Sequence, residues 1–339
     1  MDNVSVPPPD GGSTVGPGPV PTFSVIVAAW QAAGFIHHAL RSALDQQPPP
    51  LEVVVCDDGS TDDLAGALRP FGDDVRLIRI EHGGEATAKN AAAGAARGDF
   101  VAVLDADDVF LPGRLDAMGR LAAARPDLDV LTTDALLTAG EEVLGRCYHG
   151  GHTFEAGDQR TAILRRNFIL GLAAVRRERF LAIGGYDPAI PYTTDWDLWI
   201  RMIFEGSKAG AVLEPLAEYR MHDSSMSAKR AAMSRGRVLT LTKAASRPDL
   251  EPEEAAVVNR SLRAEQARLA REDLKEALME GRADVRRLAI RLVTSAAQPV
   301  RTRLKALLSA AAPAAMADRL RKEREGRFLT VGDAGLPRR

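Results

Sequence analysis

The sequence predicts an α/β fold: a Rossmann-like, mostly parallel sheet flanked by helices, with a helical C-terminal extension. Two observations carry that prediction. Short β-branched runs alternate with helically spaced apolar residues from Phe23 to Leu104, as buried parallel strands alternate with crossover helices. Beyond about residue 227 the apolar spacing is helical and strand signals cease.

Residues 1–21 are crowded with proline and glycine, including Pro7-Pro8-Pro9 and Gly16-Pro17-Gly18-Pro19. Such a segment buries too little apolar surface to offset its ordering entropy, so it reads as a disordered leader, with order expected from Phe23. Ser24 to Ala29 has the composition of a buried strand, and Ile36, Ala39, Leu40, Ala43 and Leu44 then recur at helical spacing until Pro48 stops them. Leu51 to Cys56 reads as a second strand, with Ser60 or Thr61 expected to cap a helix starting near Asp62. Val75 to Ile80 reads as a third strand, Gly84 to Arg97 as an alanine-rich helix, and Phe100 to Leu104 as a fourth strand. Residues 130–225 are less regular, with strand-like pieces at 130–138, 169–176 and 211–220. A helix is expected from about Thr194, where Trp196, Trp199, Ile200 and Ile203 make a core-facing stripe.

Composition narrows the function. The 339 residues carry 44 Lys+Arg against 46 Asp+Glu, a formal charge of −2, which argues against a nucleic-acid-coating protein. Two cysteines, Cys56 and Cys147, cannot build a disulfide framework or a four-thiolate zinc site, and suit a reducing cytoplasm. No apolar run approaches the ~20 residues needed to span a bilayer.

Three acidic clusters carry the chemistry. Asp57-Asp58-Gly59-Ser60-Thr61-Asp62 directly follows a strand, where ligands of parallel sheets collect; it reads equally as a polar turn or as a site for a base or ribose. Asp105-Ala106-Asp107-Asp108 also follows a strand; it reads as a solvated turn with a helix cap or, favoured because three crowded acids repel unless a positive charge sits among them, as alternate carboxylates for Mg²⁺ or Mn²⁺. Asp195 stands at the start of an anchored helix, where it serves either as an N-cap or as a general base.

Taken in order, these motifs resemble the family 2 glycosyltransferases of the GT-A fold. The resemblance spans roughly 23–225 and rests on Phe23–Gln31, Glu52–Asp62, Gly83-Gly84-Glu85-Ala86-Thr87-Ala88-Lys89-Asn90, Asp105-Ala106-Asp107, Gly184-Gly185-Tyr186-Asp187 with Thr194–Trp199, and Tyr219-Arg220-Met221-His222. It implies an inverting transfer of a sugar from a nucleotide-diphosphate sugar, a UDP-sugar favoured, to an acceptor hydroxyl. Under it, Ala28, Trp30, Asp57, Asp58, Lys89 and Asp105 contact the nucleotide sugar. Asp107 and His222 hold Mn²⁺ or Mg²⁺, and Asp195 is the base. It also implies a glycosyltransferase domain over 22–228 divided into a donor half (22–110) and an acceptor half (111–228), between the leader over 1–21 and a helical extension over 229–339 that composition and spacing suggest. Ala28 and Trp30 stand where the family often has proline and tyrosine, Lys89 replaces its arginine, and Thr194 replaces its glutamate. A sugar nucleotidyltransferase and a non-catalytic sugar-nucleotide binder are the rival readings.

The charge is unevenly spread. Residues 281–339 hold 14 basic and 5 acidic side chains, and Val300, Leu304, Leu307 and Leu308 form an apolar stripe among Arg301, Arg303 and Lys305. Such a basic amphipathic helix reads as a peripheral contact with the inner face of a membrane, as a self-association surface in a homo-oligomer, or as a solvated helix.

Overall fold

The computed structural model describes residues 4–7, 18–149, 152–221, 230–295 and 297–327. In chain order the first unit holds β1 (Val4–Ser5), β2 (Phe23–Ala29), α1 (Ile36–Leu44), β3 (Glu52–Asp58), α2 (Leu64–Leu68), β4 (Val75–Ile80), α3 (Glu85–Ala95) and β5 (Phe100–Val103). It continues through β6 (Val109–Phe110), α4 (Arg114–Ala124), β7 (Leu128–Ala139), β8 (Glu142–Arg146), α5 (Gln159–Arg165), β9 (Ala174–Arg176), α6 (Arg177–Ala182), α7 (Thr194–Phe204) and β10 (Lys208–Arg220). The chain divides into two compact units, Met1–Asp223 and Ser224–Arg339.

One sheet runs β1-β10-β7-β9-β5-β2-β3-β4, with β6 paired to β10 and β8 to β7. β5, β2, β3 and β4 are mutually parallel. β9 is inserted antiparallel between β5 and β7, and β10 runs parallel to β7. Burial explains the sequence pattern: β2 and β3 are covered almost throughout and read as continuous apolar runs, whereas the edge strand β4 is mostly exposed after Val75. The core joins Val25, Val27, Val53, Val55 and Phe100 to Ile36 and Leu40 of α1 and to Leu115 and Met118 of α4. The register aligns Ala28 with Cys56 and Ala29 with Asp57, so the loops after β2 and β3 emerge side by side.

Several expectations need correcting. The leader is structured at its start, because Val4 and Ser5 pair antiparallel with Val212 and Ala211 and so supply partners for the edge of β10; residues 1–3 and 8–17 lie outside the described residues. Asp63, not Ser60 or Thr61, caps α2, its carboxylate accepting from the Gly66 amide at 2.9 Å. The strand expected over 169–176 is confined to Ala174–Arg176, and the one expected over 211–220 begins at Lys208.

The second unit contains α8 (Arg230–Ala245), α9 (Pro252–Glu280), α10 (Val285–Thr294), α11 (Val300–Ala311) and α12 (Pro313–Arg327). Pro252 opens α9 behind a reciprocal capping box, the Glu251 amide donating to Glu254 at 2.9 Å, and Gly281 closes it with a φ of 67°. Leu274 and Leu278 of α9 meet Val285, Ala289 and Leu292 of α10, Ala306 of α11 and Ala317 of α12 in a small separate core.

Candidate active site

The carboxyl ends of β2 and β3 make the first wall. Asp57 is buried; its Oδ1 accepts from the Ser60 amide at 2.8 Å, and the Arg79 guanidinium lies 3.5 Å from its Oδ2. Ser60 Oγ in turn accepts from the Gln31 amide at 3.0 Å, and Asp62 from the Ala33 amide at 2.9 Å, which ties the two loops together. Asp58, also buried, accepts from the amides of Gly83 (2.7 Å) and Gly84 (2.9 Å), with His82 Nδ1 2.9 Å from its Oδ2. Gly59 cannot be replaced here: its φ is +70°, and a Cβ would lie 2.8 Å from the His82 backbone nitrogen. Ala28 is half-buried at the end of β2. Trp30 is not a core residue; it is over half exposed and stacks on His82 with centroids 5.0 Å apart, offering a flat aromatic face beside Asp57 and Asp58. Cys56 is buried inertly, burial pushing its thiol up to about 11.

The second wall comes from α3 and the loop after β5. Lys89 is buried and bridges two carboxylates, bonding Glu85 one helical turn earlier and Asp105 Oδ1 at 2.7 Å. Burial opposes its ammonium, but the charges of Asp105 and Glu85 outweigh that and hold it well above the ordinary lysine value. Asn90 makes a two-way bond with the backbone of Tyr186, accepting from its amide and donating to its carbonyl, both at 2.8 Å. The close approach needs Gly185, whose φ is +67° and whose Cβ would sit 2.3 Å from Asn90 Oδ1. The Lys-Asn and Gly-Gly-Tyr-Asp motifs, distant in sequence, are therefore one locked unit.

Asp107 is half-buried, and its carbonyl accepts from Arg220 Nε. Asp108 is buried; Oδ1 accepts from the Arg220 amide at 2.9 Å, while Oδ2 has no hydrogen-bond partner among the described residues. Burial, reinforced by Asp105 and Asp107, pushes the Asp108 carboxyl well above the usual carboxylate range. His222 lies outside the described residues. Among the described residues no three His, Cys, Asp or Glu side chains are grouped as a ready-made metal cage.

Asp195 stands in the first turn of α7. Trp196 donates its indole N–H to the Ile163 carbonyl at 2.8 Å, and Trp199 is fully buried, so the helix start is firmly anchored. Asn167 Nδ2 donates to Asp195 Oδ2 at 2.8 Å. The enclosure raises the Asp195 carboxyl to about 6, against the Trp196 amide, Lys89 and Asn167, which all favour the anion. Lys89, Asp105 and Glu85 also bear electrostatically on the buried Tyr186 phenol, as does Asp195; its hydroxyl has no hydrogen-bond partner among the described residues. Asp195, Tyr186, Lys89, Asp105 and Glu85 thus form one electrostatic cluster.

Sequence reading placed Glu85, Asn90, Tyr186 and Arg220 inside its motifs without giving them roles, and it missed Asn167 altogether. Glu85 had a signal, its spacing of four from Lys89 on a helix; Asn167 had none. A cavity of about 660 Å³ opens at the amino ends of β3 and β4, beside Glu52, Val53, Val75 and Arg76. It contains none of these acids and lies at the end of the parallel strands opposite to where such sheets bind ligands.

Residues 24–144 match the Glycosyl transferase family 2 model. The chain is 28% identical over 214 residues to the putative teichuronic acid biosynthesis glycosyltransferase TuaG of Bacillus subtilis, covering 62% of this chain and 83% of that protein. It is 41% identical over 124 residues to succinoglycan biosynthesis protein ExoO of Rhizobium meliloti (34% of this chain, 35% of ExoO). Over 200 residues it is 32% identical to ExoU of the same organism (54% of this chain, 57% of ExoU). The match therefore spans only about a third of ExoO and just over half of ExoU. In fold it is similar to the mannosyltransferase PcManGT from Pyrobaculum calidifontis in complex with GDP-Man and Mn²⁺, with a TM-score of 0.59 at 20% identity over 94% of this chain and 84% of that one. It is also similar to S. aureus TarS 1–349 in complex with UDP-GlcNAc, with a TM-score of 0.60 at 16% identity over 90% and 92% of the two chains.

Proposed function

Residues 24–144 form a glycosyl transferase family 2 domain, and from that premise we propose that this nucleotide-sugar-dependent glycosyltransferase inverts the anomeric centre in a single displacement, with Asp195 as its base. The observation that carries the reading is the Asp195 carboxyl itself, anchored on α7, held by Asn167 and raised to about 6 by its enclosure. A group of that basicity is mostly ionised at neutral pH yet a better proton acceptor than an ordinary aspartate. The acceptor oxygen attacks the anomeric carbon, its proton passes to Asp195, and the bond to the diphosphate breaks with its electron pair leaving on the nucleoside diphosphate. Asp57, Asp58, Ala28 and Trp30 form the surface for the nucleotide base, and the fixed loops after β2 and β3 reduce the ordering cost of binding. A UDP-sugar is the favoured donor.

The acid cluster fits a divalent cation. Its donors are hard oxygens, three carboxylates crowd within four residues, and Asp108 keeps a buried oxygen without a hydrogen-bond partner among the described residues. Following the resemblance, Asp107 is the principal ligand and His222 a second, while Lys89 engages Asp105. Mg²⁺ and Mn²⁺ commonly bind through one or two carboxylates plus substrate phosphates and water. Such an ion would neutralise charge on the departing diphosphate.

The test is transfer or slow hydrolysis across a panel of nucleotide sugars with Mn²⁺ and Mg²⁺, scoring the released nucleotide. Nucleoside diphosphate is expected; release of pyrophosphate would identify a nucleotidyltransferase, and binding without turnover a mere binder. Asp107→Ala is expected to abolish the Mn²⁺ dependence of donor affinity in calorimetry, and unchanged dependence removes Asp107 as ligand.

A further inference from the structure

We propose that α11 is a docking helix for an anionic lipid surface. The observation is an inverted packing. Ala306 and Ser309 are the buried residues of α11, while Val300, Leu304, Leu307 and Leu308 are each more than half exposed. Those four recur at i, i+4, i+7 and i+8 and share one face. Arg301 and Lys305 fall along one border of that face and Arg303 along the other; all three are exposed. A helix that turns its small residues inward and its leucines outward leaves its main hydrophobic stabilisation unrealised among the described residues.

Charge decides what covers it. From Val285 to Ala311 the chain carries six basic residues, Arg286, Arg287, Arg291, Arg301, Arg303 and Lys305, and no acidic one. A second copy meeting this face about a two-fold axis would bring like charges together. An apolar face bordered by cations instead matches the boundary between acyl chains and acidic headgroups. Among the described residues no helix is long and apolar enough to cross a membrane, so the contact is one of lying on the surface. The proposal does not rest on the identity of the sugar, nor on Asp195.

Sedimentation of the full chain with phosphatidylcholine vesicles, with and without phosphatidylglycerol, tests it. Binding is expected only to the acidic vesicles, to weaken with added salt, and to fall at least about tenfold in the Leu304→Gln/Leu308→Gln variant. Thermal unfolding of that variant should match the parent, since the substituted side chains face outward. If it does not fold, Arg301→Gln/Lys305→Gln, with every leucine kept, is expected to lose about tenfold as well. No vesicle binding, binding indifferent to lipid charge, or a parent dimer that either variant splits into monomers would each overturn the proposal, the last in favour of a second copy.

Discussion

Replacing Asp195 by asparagine should kill the enzyme and stabilise it. In an unfolded chain an aspartate titrates near 3.9; in the folded protein Asp195 is pushed up to about 6. A folded value above the unfolded one means that the native state binds the proton more tightly. Stability attributable to this group is therefore greatest at acid pH and is lost as pH rises from about 4 through 6. The full loss corresponds to about 3 kcal/mol, and to about 1–3 kcal/mol once its partial exposure is allowed for. The Asp195→Asn side chain cannot ionise and can keep a hydrogen bond to Asn167. Urea unfolding at pH 7.5 should accordingly show the variant about 1–3 kcal/mol more stable, with the advantage shrinking towards pH 4. Turnover should fall about 10²–10⁴-fold, and the parent's kcat/KM should decline on the acid side with a midpoint near the Asp195 value of about 6. A variant no more stable than the parent at pH 7.5, together with a parent acid limb near pH 4, would refute the argument that enclosure tunes this carboxylate. Turnover preserved in folded variant protein would remove Asp195 as the base altogether.

Two further substitutions probe the frame around it. Gly185→Ala would set a Cβ against Asn90 Oδ1 at a backbone conformation of φ +67°; a loss of about 1–3 kcal/mol in thermal unfolding is expected, with a parallel fall in kcat. Unchanged stability would mean that the Asn90–Tyr186 link yields easily. Lys89→Met leaves Glu85 and Asp105 without their shared cation and should cost about 3–5 kcal/mol, read by denaturant titration, together with weaker donor binding; a well-folded variant with parental affinity would show the bridge to be dispensable.

Legibility of the fold followed burial. β2, β3 and β5 are covered on both faces, so each carries an apolar run (Val25–Ala29, Val53–Cys56 and Phe100–Val103) that could be read directly. β9 is three residues long and β1 only two, too short for any period to register, and both depend on partners far along the chain. The same limit applies to the site. Asp57, Asp58, Asp105 and Asp107 stood out as candidates because acids cluster at the carboxyl ends of apolar strands, where parallel sheets bind ligands. Asn167 reaches Asp195 across 28 residues, and Arg220 reaches Asp108 across 112; neither bond leaves a local pattern. The apolar stripe of α11 was visible, but periodicity names a face without saying which way it points; the buried small residues Ala306 and Ser309 settled that.

The bond between Asn90 and Tyr186 joins residues 96 apart in the chain. Closing so long a loop is entropically costly, and contacts of high sequence separation form late in folding. The parallel pairings of β2 with β3 and of β3 with β4 join residues only 28 and 22 apart and can assemble first. On refolding, then, secondary structure and burial around β2, β3 and β4 should return before turnover does. A chain arrested short of that closure would look folded by circular dichroism and yet transfer no sugar.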